Sequence, residues 1–149
     1  MANPDKSRHV RDVMTPNPEC VSDGDSIRDA ARIMKDSDTG VVPVVDGKKI
    51  IGLITDRDIV VRGVAEGRDI GTLRVNEIMT RSVRSVREDA TVNEALEMMG
   101  SAEIRRVPVV NANNELVGIV SIGDISTNTN ADGKVGKTIE SISGAPPNN

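Results

Sequence analysis

Apolar and polar residues along this chain follow a pattern that predicts a helix and then a hairpin of two strands. Ser26 precedes apolar residues at helical spacing over 27–34, which predicts an amphipathic helix that begins there. The apolar run over 41–45 predicts a buried strand, and a turn leads to a return strand over 50–55. The residues that follow, over 56–64, fit a second helix.

The second half of the chain repeats this order. Thr91 and Glu94 form a capping-box pattern in front of apolar residues at helical spacing over 92–99. Strands are then predicted over 107–110 and 116–121, with a turn between them. The two halves are therefore expected to fold alike.

Shorter elements complete each half. A short helix is expected over 10–14, and short strands are expected over 20–21 and 83–86. Each half then has the order β-α-β-β-α, which belongs to the mixed α/β (α+β) class. Residues 126–134 have the composition of a loop. One face of a short C-terminal helix would hold the apolar residues Val135, Ile139 and Ile142.

The two halves share residues as well as a pattern. The matched segments are Val13-Met14-Thr15 with Ile78-Met79-Thr80, Val42-Pro43-Val44-Val45 with Val107-Pro108-Val109-Val110, and Gly52 to Ile59 with Gly118 to Ile125. The offset is 65 residues for the first two matches and 66 for the third, so the second hairpin has one inserted residue. A repeat that keeps its order in this way indicates two copies of one small folding unit.

The repeat divides the chain into predicted segments. They are a flexible N-terminal arm (1–9), repeat 1 (10–65), a linker (66–74), repeat 2 (75–127) and a C-terminal loop, short helix and tail (128–149). A unit of this size buries little apolar surface by itself. We therefore expect the two repeats to pack sheet to sheet with pseudo-two-fold symmetry.

The composition restricts both the core and the ligands. The chain has 149 residues and no Phe, Tyr or Trp, so its core consists of aliphatic side chains. A bound base would lie between aliphatic groups, because there is no aromatic ring on which it could stack. The formal net charge of −4 argues against general nucleic-acid binding, which uses a basic stripe with stacking aromatics.

Two features of the sequence bear on location and on metals. No apolar run reaches the roughly 18 residues that a membrane helix needs, so we expect a cytoplasmic protein without a membrane partner. The chain has one cysteine, Cys20, and one histidine, His9, which argues against a zinc cluster. We expect Cys20 to act as a small apolar residue and expect no metal requirement.

The end of each repeat contains a hydroxyl and a carboxylate at fixed spacing. Thr55 and Asp58 stand where a strand runs into a helix, and Ser121 and Asp124 have the same places in the second half. One interpretation is that each pair caps its helix, as these residue types commonly do. The other is a polar binding site that is built twice, near a helix start that favours phosphate.

In their order, these motifs resemble the CBS domain, named after cystathionine β-synthase. The set is h-M-T, a Ser/Thr-capped helix, h-P-V-V, a short hairpin and G-h-h-[ST]-x-x-D, seen twice over about residues 10–60 and 75–126. Two such domains in tandem resemble a Bateman module. The run from Leu53 to Ala65 is also similar to stand-alone CBS pairs of the hypoxic-response type.

The resemblance implies a flat homodimeric disc of four CBS domains. It also implies clefts between the repeats that bind AMP, ADP, ATP or S-adenosylmethionine. Asp58 and Asp124 would hold the ribose diol, while Thr55 and Ser121 would approach the ribose or a phosphate. A carboxylate suits a diol because it only accepts hydrogen bonds and can take two of them. The implied adenine walls are Val41, Val42, Pro43, Val107 and Pro108, for which ordinary core packing is the alternative.

Basic residues distinguish the two copies. Arg105 and Arg106 stand where the first copy has uncharged residues, and the resemblance implies that such arginines contact phosphates. A solvated surface pair is the alternative. Arg57 is a further phosphate candidate, and its counterpart in the second copy is Gly123. The two clefts are therefore expected to differ.

Two functions fit these features. The leading hypothesis is a non-catalytic regulatory module that binds an adenine nucleotide, as in energy sensing, and signals to a regulated protein by conformational change. The alternative is a ligand-free dimerisation or protein-interaction module. We do not expect an enzyme, because the sequence has no catalytic triad, acid–base pair of carboxylates or metal cluster.

Overall fold

Two compact units make up the protein in the computed structural model, which describes residues 8–128. The first unit combines the chain up to Pro18 with the chain from Arg84 onward, and the second unit is Glu19–Val83. Each unit therefore contains most of one sequence copy and a short segment of the other.

The elements follow the predicted order. They are α1 (Val10–Val13), β1 (Thr15–Pro16), β2 (Val21–Ser22), α2 (Ile27–Asp36), β3 (Val41–Asp46), β4 (Lys49–Thr55), α3 (Asp56–Asp58), a π-helix (Ile59–Val64), α4 (Val75–Ile78), β5 (Val86–Arg87), α5 (Val92–Ala102), β6 (Arg106–Val110), β7 (Leu116–Ser121) and α6 (Ile122–Asn128). The order β-α-β-β-α is present twice, which confirms the mixed α/β class.

The second unit is built on a three-stranded sheet in the order β2-β3-β4. Strands β2 and β3 are parallel, and β3 and β4 form the predicted antiparallel hairpin. Helix α2 begins after Ser26, whose Oγ accepts a hydrogen bond from the N–H of Asp29 at 3.1 Å. The buried core of this unit consists of Val21, Ile27, Ala30, Val42, Val44, Ile54, Leu73, Val75, Ile78 and Met79.

The first unit has a four-stranded sheet in the order β1-β7-β6-β5. The predicted capping box at the start of α5 is present. The N–H of Glu94 donates to Thr91 Oγ1 at 3.1 Å, and the N–H of Thr91 donates to Glu94 Oε2 at 3.3 Å. The buried core consists of Val10, Val13, Val86, Val92, Ala95, Leu96, Met99, Val107, Val109, Val120, Ile122 and Ile125.

The methionine–threonine segment of each sequence copy lies on the hairpin of the other copy. Thr15 pairs with Ile119 on β7, and Thr80 pairs with Leu53 on β4. The second pairing has both backbone hydrogen bonds, at 2.9 Å from Leu53 N to Thr80 O and 2.8 Å from Thr80 N to Leu53 O. Apolar residues of α1 and α4 enter the same cores, so each core contains residues of both copies.

Two glycines of the repeated motif allow this crossing. A Cβ on Gly52 would lie 2.8 Å from the backbone oxygen of Thr80, and a Cβ on Gly118 would lie 3.0 Å from that of Thr15. Such distances are too short for a side chain beside backbone atoms that cannot move away. Glycine is therefore required at these two positions because another segment of backbone passes over the strand.

The helix predicted over 56–64 is present, but most of it is a π-helix. Three residues of α3 lead into the π-helix at Ile59, and Gly67 follows its end with φ +73°. At Gly63 an added Cβ would lie 3.1 Å from Ile70 Cδ1, so this turn packs closely against the loop that follows. The wider turn of a π-helix is rare and is often found at functional sites.

Some boundaries differ from the sequence prediction. Residues 126–128, predicted as the start of a loop, continue helix α6, because Ile122 and Ile125 bury its apolar side. The predicted strand over 83–86 begins only at its last residue. The remainder of the predicted loop and the predicted C-terminal helix lie outside the described residues.

Cys20 is a partly buried free thiol at the start of the second unit. Burial raises the pKa of this thiol, and the nearby carboxylates of Glu19 and Asp25 raise it further. The thiol therefore stays protonated at neutral pH. Among residues 8–128, no helix combines the length and the apolar character that a membrane crossing needs.

The crossing glycines give the first prediction. We expect Gly52→Ala and Gly118→Ala each to lower the free energy of unfolding by about 1–3 kcal/mol, because the new methyl group has no room. Urea unfolding followed by circular dichroism measures the change.

Gly24→Ala is the matched control, because no atom lies within 4 Å of the position that its Cβ would take. We expect it to change stability by less than about 0.5 kcal/mol. Equal stability of all three variants would show that the segments do not cross these strands in solution.

Candidate functional site

Thr55 and Asp58 bond each other's backbone at the point where β4 runs into α3. The N–H of Asp58 donates to Thr55 Oγ1, and the N–H of Thr55 donates to Asp58 Oδ2, both at 3.0 Å. Asp58 is 8% exposed and is the one buried charged residue among residues 8–128. The pair is therefore a capping box that holds a carboxylate in a buried position.

Ser121 and Asp124 make the same two bonds at the junction of β7 and α6. The N–H of Asp124 donates to Ser121 Oγ at 3.0 Å, and the N–H of Ser121 donates to Asp124 Oδ2 at 2.9 Å. Asp124 is half-buried. The arrangement is thus built twice, once in each unit, from matching residues.

The backbone brings the start of the neighbouring strand to each junction. The N–H of Asp56 donates to the carbonyl of Gly40 at 2.9 Å, and the N–H of Ile122 donates to the carbonyl of Arg105 at 3.0 Å. In the register of the hairpins, Val41 stands opposite Thr55 and Arg106 stands opposite Ser121. The hydroxyl–carboxylate pairs therefore lie beside the residues that the sequence suggested as walls and phosphate contacts.

The wall candidates occupy two kinds of position. Val42 and Val107 are 0% exposed and belong to the two cores. Their side chains therefore pack in the core, which was the alternative to a role as adenine walls. Pro43 and Pro108 are also buried, while Val41 is half-buried. Val41 is therefore the wall candidate whose side chain retains an accessible surface.

The phosphate candidates are all exposed. Arg105 and Arg106 stand at the start of β6, and Arg57 stands in α3. The first copy thus has its candidate arginine on the helix, whereas the second copy has its pair where the strand begins. Gly123, the counterpart of Arg57, adds no charge.

Sequence reasoning did not identify Arg62, which the structure places at the first pair. Its Nε lies 3.8 Å from Asp58 Oδ1, and its Nη1 donates to the carbonyl of Ile78 at 3.3 Å. The spacing of four residues between an acid and a base on a helix is the signal that could have identified it.

The two hydroxyl–carboxylate pairs retain hydrogen-bonding capacity beyond their caps. Each carboxylate has about four acceptor positions, of which the cap occupies one, so it can still accept a bond from a ribose hydroxyl. Exposed guanidinium groups can bind phosphate. No buried side-chain nitrogen or oxygen in the described part lacks a partner, so a ligand would use this additional capacity.

Comparison with known proteins identifies the class of this fold. The CBS domain family matches residues 10–64 and 75–128, and the chain belongs to that family. The matched residues form a CBS-domain pair, which is a non-catalytic regulatory module. The predicted family is confirmed.

Hypoxic response protein 1 of Mycobacterium tuberculosis is 37% identical to the chain over 118 residues, which are 78% of this chain and 82% of that protein. A crystal structure of Hypoxic Response Protein I with two coordinated zinc ions has a TM-score of 0.74 and 34% identity, covering 81% of this chain and 98% of its own. The similarity to stand-alone CBS pairs of the hypoxic-response type is therefore also confirmed.

Two further similar structures contain adenosine compounds. CBSX2 in complex with AMP has a TM-score of 0.69 and 25% identity, covering 80% of this chain and 94% of its own. The CBS domain pair of MJ0100, in complex with 5′-methylthioadenosine and S-adenosyl-L-methionine, has a TM-score of 0.66 and 33% identity over 80% and 97%. For zinc, residues 8–128 contain no group of three His, Cys, Asp or Glu able to hold a metal ion.

The caps give the second prediction. We expect Thr55→Ala and Ser121→Ala each to lower the free energy of unfolding by about 1 kcal/mol, because one backbone N–H loses its acceptor. Thr91→Ala removes the same bond at α5 and serves as the reference in urea unfolding. No loss in the first two variants, beside a loss in the reference, would contradict the caps described here.

Proposed function

We propose that this CBS pair is a regulatory module that binds adenine nucleotides through its two hydroxyl–carboxylate pairs. The observation that carries the proposal is the identical bonding of Thr55 with Asp58 and of Ser121 with Asp124. The adenosine compounds bound by CBSX2 and MJ0100 support the ligand class. AMP, ADP, ATP and S-adenosylmethionine are the candidates.

Each acid would hold the ribose while it continues to cap its helix. The diol donates, and a carboxylate oxygen accepts, a charge-assisted bond of about 1.5–3 kcal/mol. Thr55 and Ser121 would approach the ribose or a phosphate with their hydroxyls. The half-buried Val41 would contact the base in the first copy.

The arginines would select ligands by their phosphates. Arg106 gives the second copy an exposed cation opposite Ser121 in the hairpin, and the exposed Arg105 directly precedes it. The first copy would instead use Arg57, whose position on the helix is different. We infer that the two copies bind the same nucleoside but differ in their preference for phosphate number.

Ligand binding would act by selecting one arrangement of the protein that a regulated partner recognises, as in energy sensing. A ligand that binds only the native state also raises its stability. We expect no metal in this function, because the residues assigned to the ligand are a carboxylate, a hydroxyl and arginines.

The third prediction tests the acids. We expect Asp58→Asn and Asp124→Asn each to weaken AMP binding at their own copy by about 10- to 150-fold, since the charge-assisted bond to the diol is lost. Asparagine retains an oxygen that can accept the capping N–H, which limits the loss of stability. Titration calorimetry with AMP and with ATP measures both sites.

Glu94→Gln is the matched control, because it changes the same kind of capping carboxylate away from the proposed sites. We expect it to leave both affinities unchanged. Wild-type affinities in both asparagine variants would remove the assigned role of the acids. A wild-type protein that neither binds nor is thermally stabilised by any adenosine compound would contradict the function itself.

An exposed apolar face supports a second candidate function, assembly of two copies. Val60, Val61 and Val64 on the π-helix are 57%, 42% and 57% exposed. Exposed valines clustered in this way indicate an interaction surface. The flanking charges favour a second copy as the occupant. A two-fold axis through the valines would set the exposed Arg57 of one copy near Glu66 of the other.

The fourth prediction tests this assembly. We expect the wild-type protein to be a dimer in size-exclusion chromatography with light scattering, and Val60→Glu with Val64→Glu to convert it to a monomer. Lys48→Glu, on an exposed turn of the same unit, should remain dimeric. A monomeric wild-type protein, or a dimer that survives both glutamates, would contradict this use of the valines.

A further inference from the structure

Arg62 connects the carboxylate of the first site to a distant part of the second unit. The guanidinium approaches Asp58 Oδ1 with Nε, at 3.8 Å, and donates from Nη1 to the backbone oxygen of Ile78, at 3.3 Å. Arg62 and Ile78 are sixteen positions apart in the sequence. One side chain therefore bridges the π-helix and α4.

Asp58 has a physical need for this partner. Its side chain is 11% exposed, and a buried carboxylate is costly unless a cation or several donors compensate it. The N–H of Thr55 bonds Oδ2 and leaves Oδ1 to the guanidinium. Arg62 therefore restricts the orientation of the oxygen that is not committed to the cap.

The other end of the bridge is the last residue of α4. The last carbonyls of a helix receive no hydrogen bond from an N–H of the same helix. The carbonyl of Ile78 instead accepts a hydrogen bond from Arg62. Directly after it, Thr80 crosses β4 at Leu53 through two hydrogen bonds. The second unit ends at Val83, so this crossing segment leads out of the unit.

We propose that Arg62 is a positioning residue that couples ligand capture by Asp58 to the crossing segment, defined as Ile78–Thr80. The proposal rests on the proposed function, because the ligand that Asp58 captures is an adenosine compound. A ribose hydroxyl that bonds Oδ1 shares this oxygen with the guanidinium. Any resulting shift of Arg62 acts directly on the carbonyl of Ile78.

The sequence places this arginine in the first copy and not in the second. Four residues after Asp124 stands Asn128, which carries no charge, where the first copy has Arg62. An asparagine cannot form an ion pair with the acid. The bridge through this arginine therefore belongs to the first copy.

The fifth prediction compares Arg62→Met, Arg62→Lys and the control Arg68→Met. Arg68 forms its own ion pair with Glu77 at 2.7 Å and is likewise an arginine that reaches α4, but it does not contact the acid. Without ligand, we expect Arg62→Met to speed hydrogen exchange of the Thr80 amide about two- to fivefold, the range typical of an exposed ion pair. Arg68→Met should leave that amide unchanged.

With ligand, the three variants are made in an Asp124→Asn background so that the first site dominates. We expect Arg62→Met to weaken the binding of AMP two- to fivefold. The affinity for the 2′,3′-dideoxy analogue should not change, because that analogue has no diol for Asp58. AMP should slow exchange at Leu53 and Thr80 in the wild-type chain and not in Arg62→Met. Arg62→Lys should fall between them, since an ammonium keeps the charge but lacks the planar, spaced donors of a guanidinium.

The outcomes distinguish a failure of the positioning role of Arg62 from a failure of the proposed function. Wild-type exchange and wild-type AMP affinity in Arg62→Met would overturn the positioning role while AMP binding itself stands. An equal effect of Arg62→Met on AMP and on its dideoxy analogue would also overturn it, because Arg62 would then contact another part of the ligand. A wild-type protein that does not bind AMP would overturn both the proposed function and the ligand role of Arg62.

Discussion

The close crossing of a backbone segment over a glycine in each hairpin is the constraint on which the rest of the structure depends. At Gly52 and at Gly118 the backbone oxygen of the crossing threonine occupies the space that a side chain would fill. The crossing brings α1 and α4 into the cores, where they contribute Val10, Val75 and Ile78. A single sequence repeat therefore lacks part of its own core. The motif glycine, which precedes the candidate site residue by three positions, is required for packing in both units.

The hydroxyl–carboxylate pairs show why capping and ligand binding are compatible interpretations. A capping box needs one acceptor from each side chain, at about 3 Å in both copies. The cap is worth about 1 kcal/mol, whereas a charge-assisted bond to a diol is worth about 1.5–3 kcal/mol. The cap uses Oδ2 of Asp58 and leaves Oδ1 to the guanidinium of Arg62 and to a proposed ligand. Local folding thus prepares the carboxylate for a ligand at no additional ordering cost.

The sequence predicts those structural features that depend on residues close together along the chain. Helix starts at Ser26 and Thr91, both hairpins and the duplicated acid pairs follow from capping, alternation and repetition, which are local signals. The exchange of crossing segments between copies has no such signal, because the repeat looks the same whichever hairpin its segment contacts. The π-helix and the reach of Arg62 to Ile78 also arise from tertiary packing, here around Gly63. Residues 126–128 are helical for a similar reason, since burial of Ile125 outweighs their loop-like composition.

The two copies share one framework and differ in the charges that surround it. Both copies retain the bonds that shape the acid, because losing them would weaken a helix start. The cations around the acids are less constrained, since exposed arginines contribute little to stability. In the first copy Arg62 forms an ion pair with the acid and a hydrogen bond to α4, so the proposed ligand would meet a carboxylate that is already paired. In the second copy the positive charge comes from Arg105, just before β6, and from Arg106, its first residue. The physical difference between the copies therefore lies in where the positive charge is fixed, and the acid itself is common to both.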